Sequence, residues 1–184
     1  MRWEALFADL EGQLEAAQAT ELAAEVGDRS RAEVGRLRLT DRLRGAVGQP
    51  LVVRVAGGAV VNGRLATTGP DWLLLMEGSG RAAVVPTSAV TSVTGLGAFA
   101  AAPGSEGHVA ARLDLRFALR GLARDRAGVT VVLIDGTAMV GTLDRVGSDY
   151  VELAEHSPGE PRRAAGVRAV RTVPLIAVAV LRSE

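Results

Sequence analysis

Hydrophobic positions along the chain change their spacing twice. Over residues 3–26, Trp3, Phe7, Leu10, Leu14 and Ala17 recur at steps of four, three, four and three, with acidic residues between them. That spacing predicts a helix with a narrow apolar seam. Glu21 interrupts the seam and Gly27 follows it, which suits a helical hairpin or a short dimer contact better than a long coiled coil. A second helical stretch is predicted over 30–47, ended by Gly48 in a left-handed C-terminal position with Pro50 two residues beyond.

From residue 51 the pattern becomes short apolar runs broken by glycine, the signature of a small all-β unit. Strands are predicted over 51–55, 59–66, 72–76, 81–85 and 90–93, with Gly57-Gly58, Gly69-Pro70-Asp71 and Gly78-Ser79-Gly80 as turns and a tight turn at 86–89. A Gly- and Ala-rich linker follows, and then the pattern starts again. The expected organisation is an acidic helical segment over 1–35, a unit over 36–95, a linker over 96–107 and a second unit over 108–184.

The repetition is legible residue by residue. Arg36-Leu37-Arg38-Leu39 and Leu43-Arg44-Gly45 match Arg112-Leu113-Asp114-Leu115 and Leu119-Arg120-Gly121. After a two-residue insertion, Gly58, Gly63, Leu65, Gly69, Asp71, Trp72 and Leu75 match Gly136, Gly141, Leu143, Gly147, Asp149, Tyr150 and Leu153. So many matches in order mark an internal duplication. At its end, Ala89-Val90 and Val93 align with Ala169-Val170 and Val173, leaving 175–181 as a tail that adds a strand.

A helix followed by five short strands, with Gly-x-Leu in the second and a Gly-x-Asp-aromatic turn before the third, resembles the Sm-like or SH3-like small β-barrel, over 36–95 and 112–184. The resemblance implies an α+β protein: an N-terminal helical segment and two tandem barrels, each a helix plus five strongly bent antiparallel strands. Gly63 and Gly141 would let a strand bend sharply enough for such a sheet to close on itself. The resemblance also implies edge strands that pair copies into oligomers. The uridine pocket of RNA-binding relatives does not carry over, because its acidic and Asn positions hold Gly69 and Leu73 in one repeat and Gly147 and Val151 in the other.

Composition narrows the chemistry. Aromatics are 3% of the chain, so the cores must be built from Val, Leu and Ala and base-stacking platforms are scarce. There is no cysteine, which removes disulfides, thiolate metal sites and thiol nucleophiles. All 21 basic residues are arginine and 21 acidic residues cancel them, so no global basic field recruits nucleic acid. Arginine without lysine, in a background of Ala, Gly and Val, reads as the codon usage of a GC-rich bacterium. Charge does alternate in blocks: residues 1–28 hold one Arg and seven acids, and residues 29–64 hold eight Arg and two acids, a juxtaposition that suits self-association. No signal-type apolar core opens the chain and the apolar run at 173–181 is short of the roughly 20 residues a membrane span needs. A cytoplasmic location and no membrane partner are expected.

Few residues are candidates for a site. Arg112, Arg116, Arg120 and Arg124 are spaced by four and form one stripe on a predicted helix, weakly echoed by Arg38 and Arg42. The stripe is the candidate contact for RNA or DNA phosphates or for a protein partner, against the simpler reading of a solvated helix face backed by Leu115, Leu119 and Leu122. Trp3, Phe7, Leu10 and Leu14 are the candidate interaction seam. Trp72 and Tyr150 are read as core or barrel-rim packing, Asp71 and Asp149 as turn residues, and His108 and His156 as surface histidines without metal-ligand spacing. Gly95-Leu96-Gly97-Ala98-Phe99-Ala100 fits a relaxed dinucleotide pattern, but Pro103 and Gly104 break the helix it would need. Neither catalysis, a cofactor nor a metal is expected. The expected role is that of an interaction or scaffold protein that associates with itself, with a nucleic-acid-binding regulator as the alternative.

Overall fold

A computed structural model describes residues 3, 7, 12–14, 18, 21–22, 24–25, 29, 31–78, 80–107, 110–159, 163 and 166–183. By compactness the chain divides into Met1–Arg38 and Leu39–Glu184. In the first unit the described residues up to 34 are helical, and the predicted helix over 30–47 is broken by a turn and irregular backbone at 35–38. Trp3, Phe7 and Leu14 lie on this helical part, 72%, 59% and 60% exposed, while Leu10 lies outside the described residues.

The second unit opens with a short helix, α1 (Leu39–Gly45), and strands β1 (Pro50–Val55), β2 (Val60–Thr68), β3 (Trp72–Glu77), β4 (Ala82–Pro86) and β5 (Val90–Thr94). It continues with a longer helix, α2 (Leu115–Asp125), and strands β6 (Gly128–Leu133), β7 (Ala138–Val146), β8 (Tyr150–Glu155), β9 (Ala169–Pro174) and β10 (Val178–Ser183). Gly48 has φ of +86°, but it stands three residues beyond the end of α1 in a turn, its N–H donating to the Leu65 carbonyl of β2 at 2.7 Å, so it does not cap a helix running to residue 47 as expected. The Gly-x-Asp-aromatic motif has a steric cause: a Cβ on Gly69 would fall 2.0 Å from the Trp72 ring, and one on Gly147 would fall 2.4 Å from the Tyr150 ring. In both turns the glycine N–H donates to the aromatic residue's carbonyl, each at 2.8 Å.

Two separate five-stranded barrels do not form. All ten strands belong to one antiparallel sheet in the order β5-β1-β2-β3-β4-β10-β6-β7-β8-β9. The cause is the fate of β4. It turns away from β5 of its own repeat and pairs with β10, Val84 opposite Leu181 and Ala83 opposite Arg182. Strand β2 is bent by a register shift between Leu65 and Thr67, and β7 by one between Leu143 and Arg145, but the bends do not close either half on itself. The tail is also reassigned. Pro86-Thr87-Ser88-Ala89-Val90 corresponds to Pro174-Leu175-Ile176-Ala177-Val178, both passing through a 3₁₀ turn, so β10 is the fifth strand of the second repeat rather than an addition to it.

Burial follows the same pairing. One apolar core gathers Leu43 of α1 with Val53, Val61, Leu65, Leu73, Leu75 and Val85, and takes Ala179 and Val180 from β10. The other gathers Leu115 and Leu119 of α2 with Val129, Leu143, Val151 and Leu153, and takes Val84 from β4. Strand β4 is therefore buried on both faces, Ala83 and Val85 into one core and Val84 into the other. Among the described residues no helix is long and apolar enough to cross a membrane.

Candidate functional site

The seam between β4 and β10 brings the repeats' chemistry together. Arg182 of β10 reaches across to β3, its Nε 3.2 Å from a Glu77 carboxylate oxygen, and its terminal nitrogen donates to the Val60 carbonyl at 2.9 Å. The Ser183 hydroxyl accepts from the Ala82 N–H at 3.0 Å. Further contacts tie β3 to the start of α2: Trp72 Nε1 donates to the Leu113 carbonyl at 2.7 Å and the Asp71 carboxylate accepts from the Leu115 N–H at 2.8 Å. Trp72 thus packs against the second core and is held by a hydrogen bond, with no barrel rim for it to line, while Asp71 bonds the first turn of α2. Asp149 and Tyr150, their counterparts, sit at the far end of the sheet, where Asp149 is exposed.

The arginine stripe is shorter than the sequence spacing implied. Asp114 caps α2, its carboxylate accepting from the Phe117 N–H at 2.9 Å, so Arg112 falls before the helix, at the end of a 3₁₀ turn. Arg116, Arg120 and Arg124 remain exposed on the helix, and Leu115, Leu119 and Leu122 pack inward. Arg116 is spoken for locally, because its Nε donates to Asp114 at 2.7 Å. Burial pushes the Asp114 carboxyl up. The hydrogen bonds from Arg116 and the Phe117 N–H, with the charges of Arg116 and Arg120, outweigh that effect and hold the group below the usual carboxylate range.

In the first repeat Arg38 lies outside α1 and Arg42 lies on it. Arg42 donates to the Gly97 carbonyl at 2.8 Å, and its buried Nε has no partner. Arg44 binds the buried Asp41 at 2.7 Å, the Ala102 carbonyl at 3.0 Å and Glu106. The predicted linker is therefore pinned along α1, which explains the need for glycine at 45, where a Cβ would meet Ala100 backbone at 2.9 Å.

His156 departs from expectation. It is buried, with Nε2 2.9 Å from the Thr142 hydroxyl and Nδ1 3.0 Å from the Ser157 carbonyl. His108 lies outside the described residues. Among the described residues no three His, Asp or Glu side chains gather as metal ligands. An open cleft of about 500 Å³ holds Asp71, Asp114, Arg116 and Ser148, but Asp71 and Asp114 are both engaged in capping α2.

Sequence reading missed the ends of the sheet. Among the described residues β5 pairs only with β1 and β9 only with β8, so each has one edge with no described strand beside it. The signal was present in composition: β4 and β10 read Ala-Ala-Val-Val and Val-Ala-Val-Leu, continuous apolar runs, while β5 and β9 read Val-Thr-Ser-Val-Thr and Ala-Val-Arg-Thr-Val. Comparison of the chain with models of known protein families and with curated proteins gives no match.

Proposed function

We propose that this chain is a non-enzymatic scaffold that associates with itself head to tail, β9 of one copy lying along β5 of the next. The supporting observation is the β4–β10 seam itself. β9 is the fourth strand of its repeat and β5 the fifth of its own, so the open edges are the counterparts of the two strands that already pair within the chain. Transferred to them, the register sets Thr172 opposite Val93 and Arg171 opposite Thr94.

Side-chain size supports this register. Within the seam, small Ala83 faces long Arg182; between copies, long Arg171 faces small Thr94. The carboxylate is reached in each case, Glu77 by Arg182 across the seam and Glu155, its counterpart, by Arg171 at 3.0 Å within the chain. Thr91, Ser92 and Thr172 stand where the internal seam has Ala179, Val180 and Val84, so contact between copies rests on main-chain bonds more than apolar burial. That makes it a reversible association. It is heterologous, and closes into a ring or continues as a filament according to its rotation.

Sedimentation of the full chain over a range of concentrations tests the reading. Mass should rise with concentration, and Ser92→Lys or Thr172→Lys, each placing charge on an open edge, should return it to the monomer. A monomer at every concentration overturns the proposal. The exposed Arg120 and Arg124 keep nucleic-acid binding as a second reading, which requires salt-sensitive binding of RNA or duplex DNA that Arg120→Glu weakens.

A further inference from the structure

At the internal seam α2 overlies the junction, Ala118 and Leu122 lining one small cavity of about 280 Å³ with Trp72, Leu74 and Val84. All five are apolar. The repeat supplies each with a counterpart at the outer ends of the sheet: Arg42 for Ala118, Ala46 for Leu122, Tyr150 for Trp72, Glu152 for Leu74 and Thr172 for Val84. Two facing positions that are apolar inside the chain therefore carry opposite charges at its ends.

The local surroundings suit those charges to a partner. Arg42 reaches the Gly97 carbonyl, three residues beyond β5, so its guanidinium lies by the edge that β9 of another copy would meet. That bond uses a terminal nitrogen, and because the Nε is buried only the terminal nitrogens have donors left to offer a partner. Glu152 stands on the β8 face opposite Val151 and Leu153, which point into the core. Its side chain is 23% exposed and lies 3.7 Å from Arg145, which is itself 78% exposed and screened by water.

We propose that Arg42 of one copy and Glu152 of the next form an ion pair across the β5–β9 contact and fix which copy, in which register, the edge accepts. The inference rests on the head-to-tail reading above and adds the pair that gives it specificity. Backbone bonding along an open edge is indifferent to register by itself. An opposite-charge pair beside it penalises slipped and reversed arrangements, because each leaves one charge facing the wrong neighbour.

The test is a charge swap read by sedimentation, with thermal melting to confirm that each variant is folded. Arg42→Glu alone sets two carboxylates against each other across the contact, and Glu152→Arg alone sets two guanidinium groups against each other. Each should weaken association roughly tenfold or more. Mixing the two variants restores opposite charges at every contact between a copy of one and a copy of the other, whichever supplies position 42, so the mixture should associate more strongly than either variant alone. Because Glu152 does not hold the linker, Glu152→Arg remains informative even if Arg42→Glu disturbs the Gly97 contact. Wild-type chains that associate while either folded variant does so equally well, or a mixture that fails to recover, overturn the ion pair and leave the strand pairing standing. Wild-type chains that stay monomeric overturn both.

Discussion

The indole Nε1 of Trp72 donates to the Leu113 carbonyl at 2.7 Å, so an aromatic residue of the first repeat holds the chain two residues ahead of the second repeat's helix. Trp72→Phe keeps most of the ring's packing and loses that donor. It should lower unfolding stability by about 1 kcal/mol in urea titration. Tyr150→Phe, at the counterpart position on the outer end of the sheet, should change it by less than about 0.5 kcal/mol.

Asp114 makes stability depend on acidity. Its folded-state pKa is depressed, so the stabilisation it gives is fully present above its unfolded value near 4 and is lost as pH falls through the lower folded value. Asp114→Asn can still cap α2 but cannot titrate. Urea unfolding of this variant between about pH 5 and pH 2 should show a shallower loss of stability than the wild type. Asp114→Ala should cost about 1 kcal/mol at neutral pH.

Two glycines of the second repeat should respond in opposite senses. A Cβ on Gly141 would lie 2.1 Å from the Ala154 carbonyl oxygen, within a strand pair that cannot part without breaking its ladder. Gly141→Ala should destabilise by about 1–3 kcal/mol. Gly121 sits in α2 with open space around its missing Cβ, and Gly121→Ala should stabilise by about 0.5–1 kcal/mol. Melting temperatures of the two variants measure both effects.

Thr142 and His156 form a polar contact between two buried side chains. Thr142→Val retains the shape and leaves the imidazole Nε2 without its partner. Denaturant unfolding should show a loss of about 1–3 kcal/mol, larger than that of Thr172→Val on the exposed edge.

The strands were legible because each is a local event. Apolar runs and glycines placed β1 to β5 to within a residue or two, and Gly69 and Gly147 were marked by the aromatic rings they accommodate. Pairing is a relation between distant segments, and the choice of β10 rather than β5 as the neighbour of β4 leaves almost no trace in spacing. What trace exists lies in the polarity of whole strands, since a strand buried on both faces cannot afford the threonines and arginine of β5 and β9. The same limit applies to the candidate surfaces. Helical spacing identified Arg116, Arg120 and Arg124, but only the cap at Asp114 shows that Arg112 is not one of them. Glu152 carried no motif at all, and its interest arises from Leu74 at the equivalent place in the other repeat.

The dependence of the first core on Ala179 and Val180 reaches into the making of the protein. A ribosome that has finished β4 at Pro86 must still add some ninety residues before β10 begins at Val178. At about 5–20 residues per second that interval lasts several seconds or more. Throughout it the nascent first half carries Ala83 to Val85 on a strand paired with β3 along one edge and open along the other, a sticky edge offered to any neighbouring chain. Synthesis therefore passes through a window in which crowding on a polysome favours exchange of β10 between chains, and the pace of translation decides how long that window stays open.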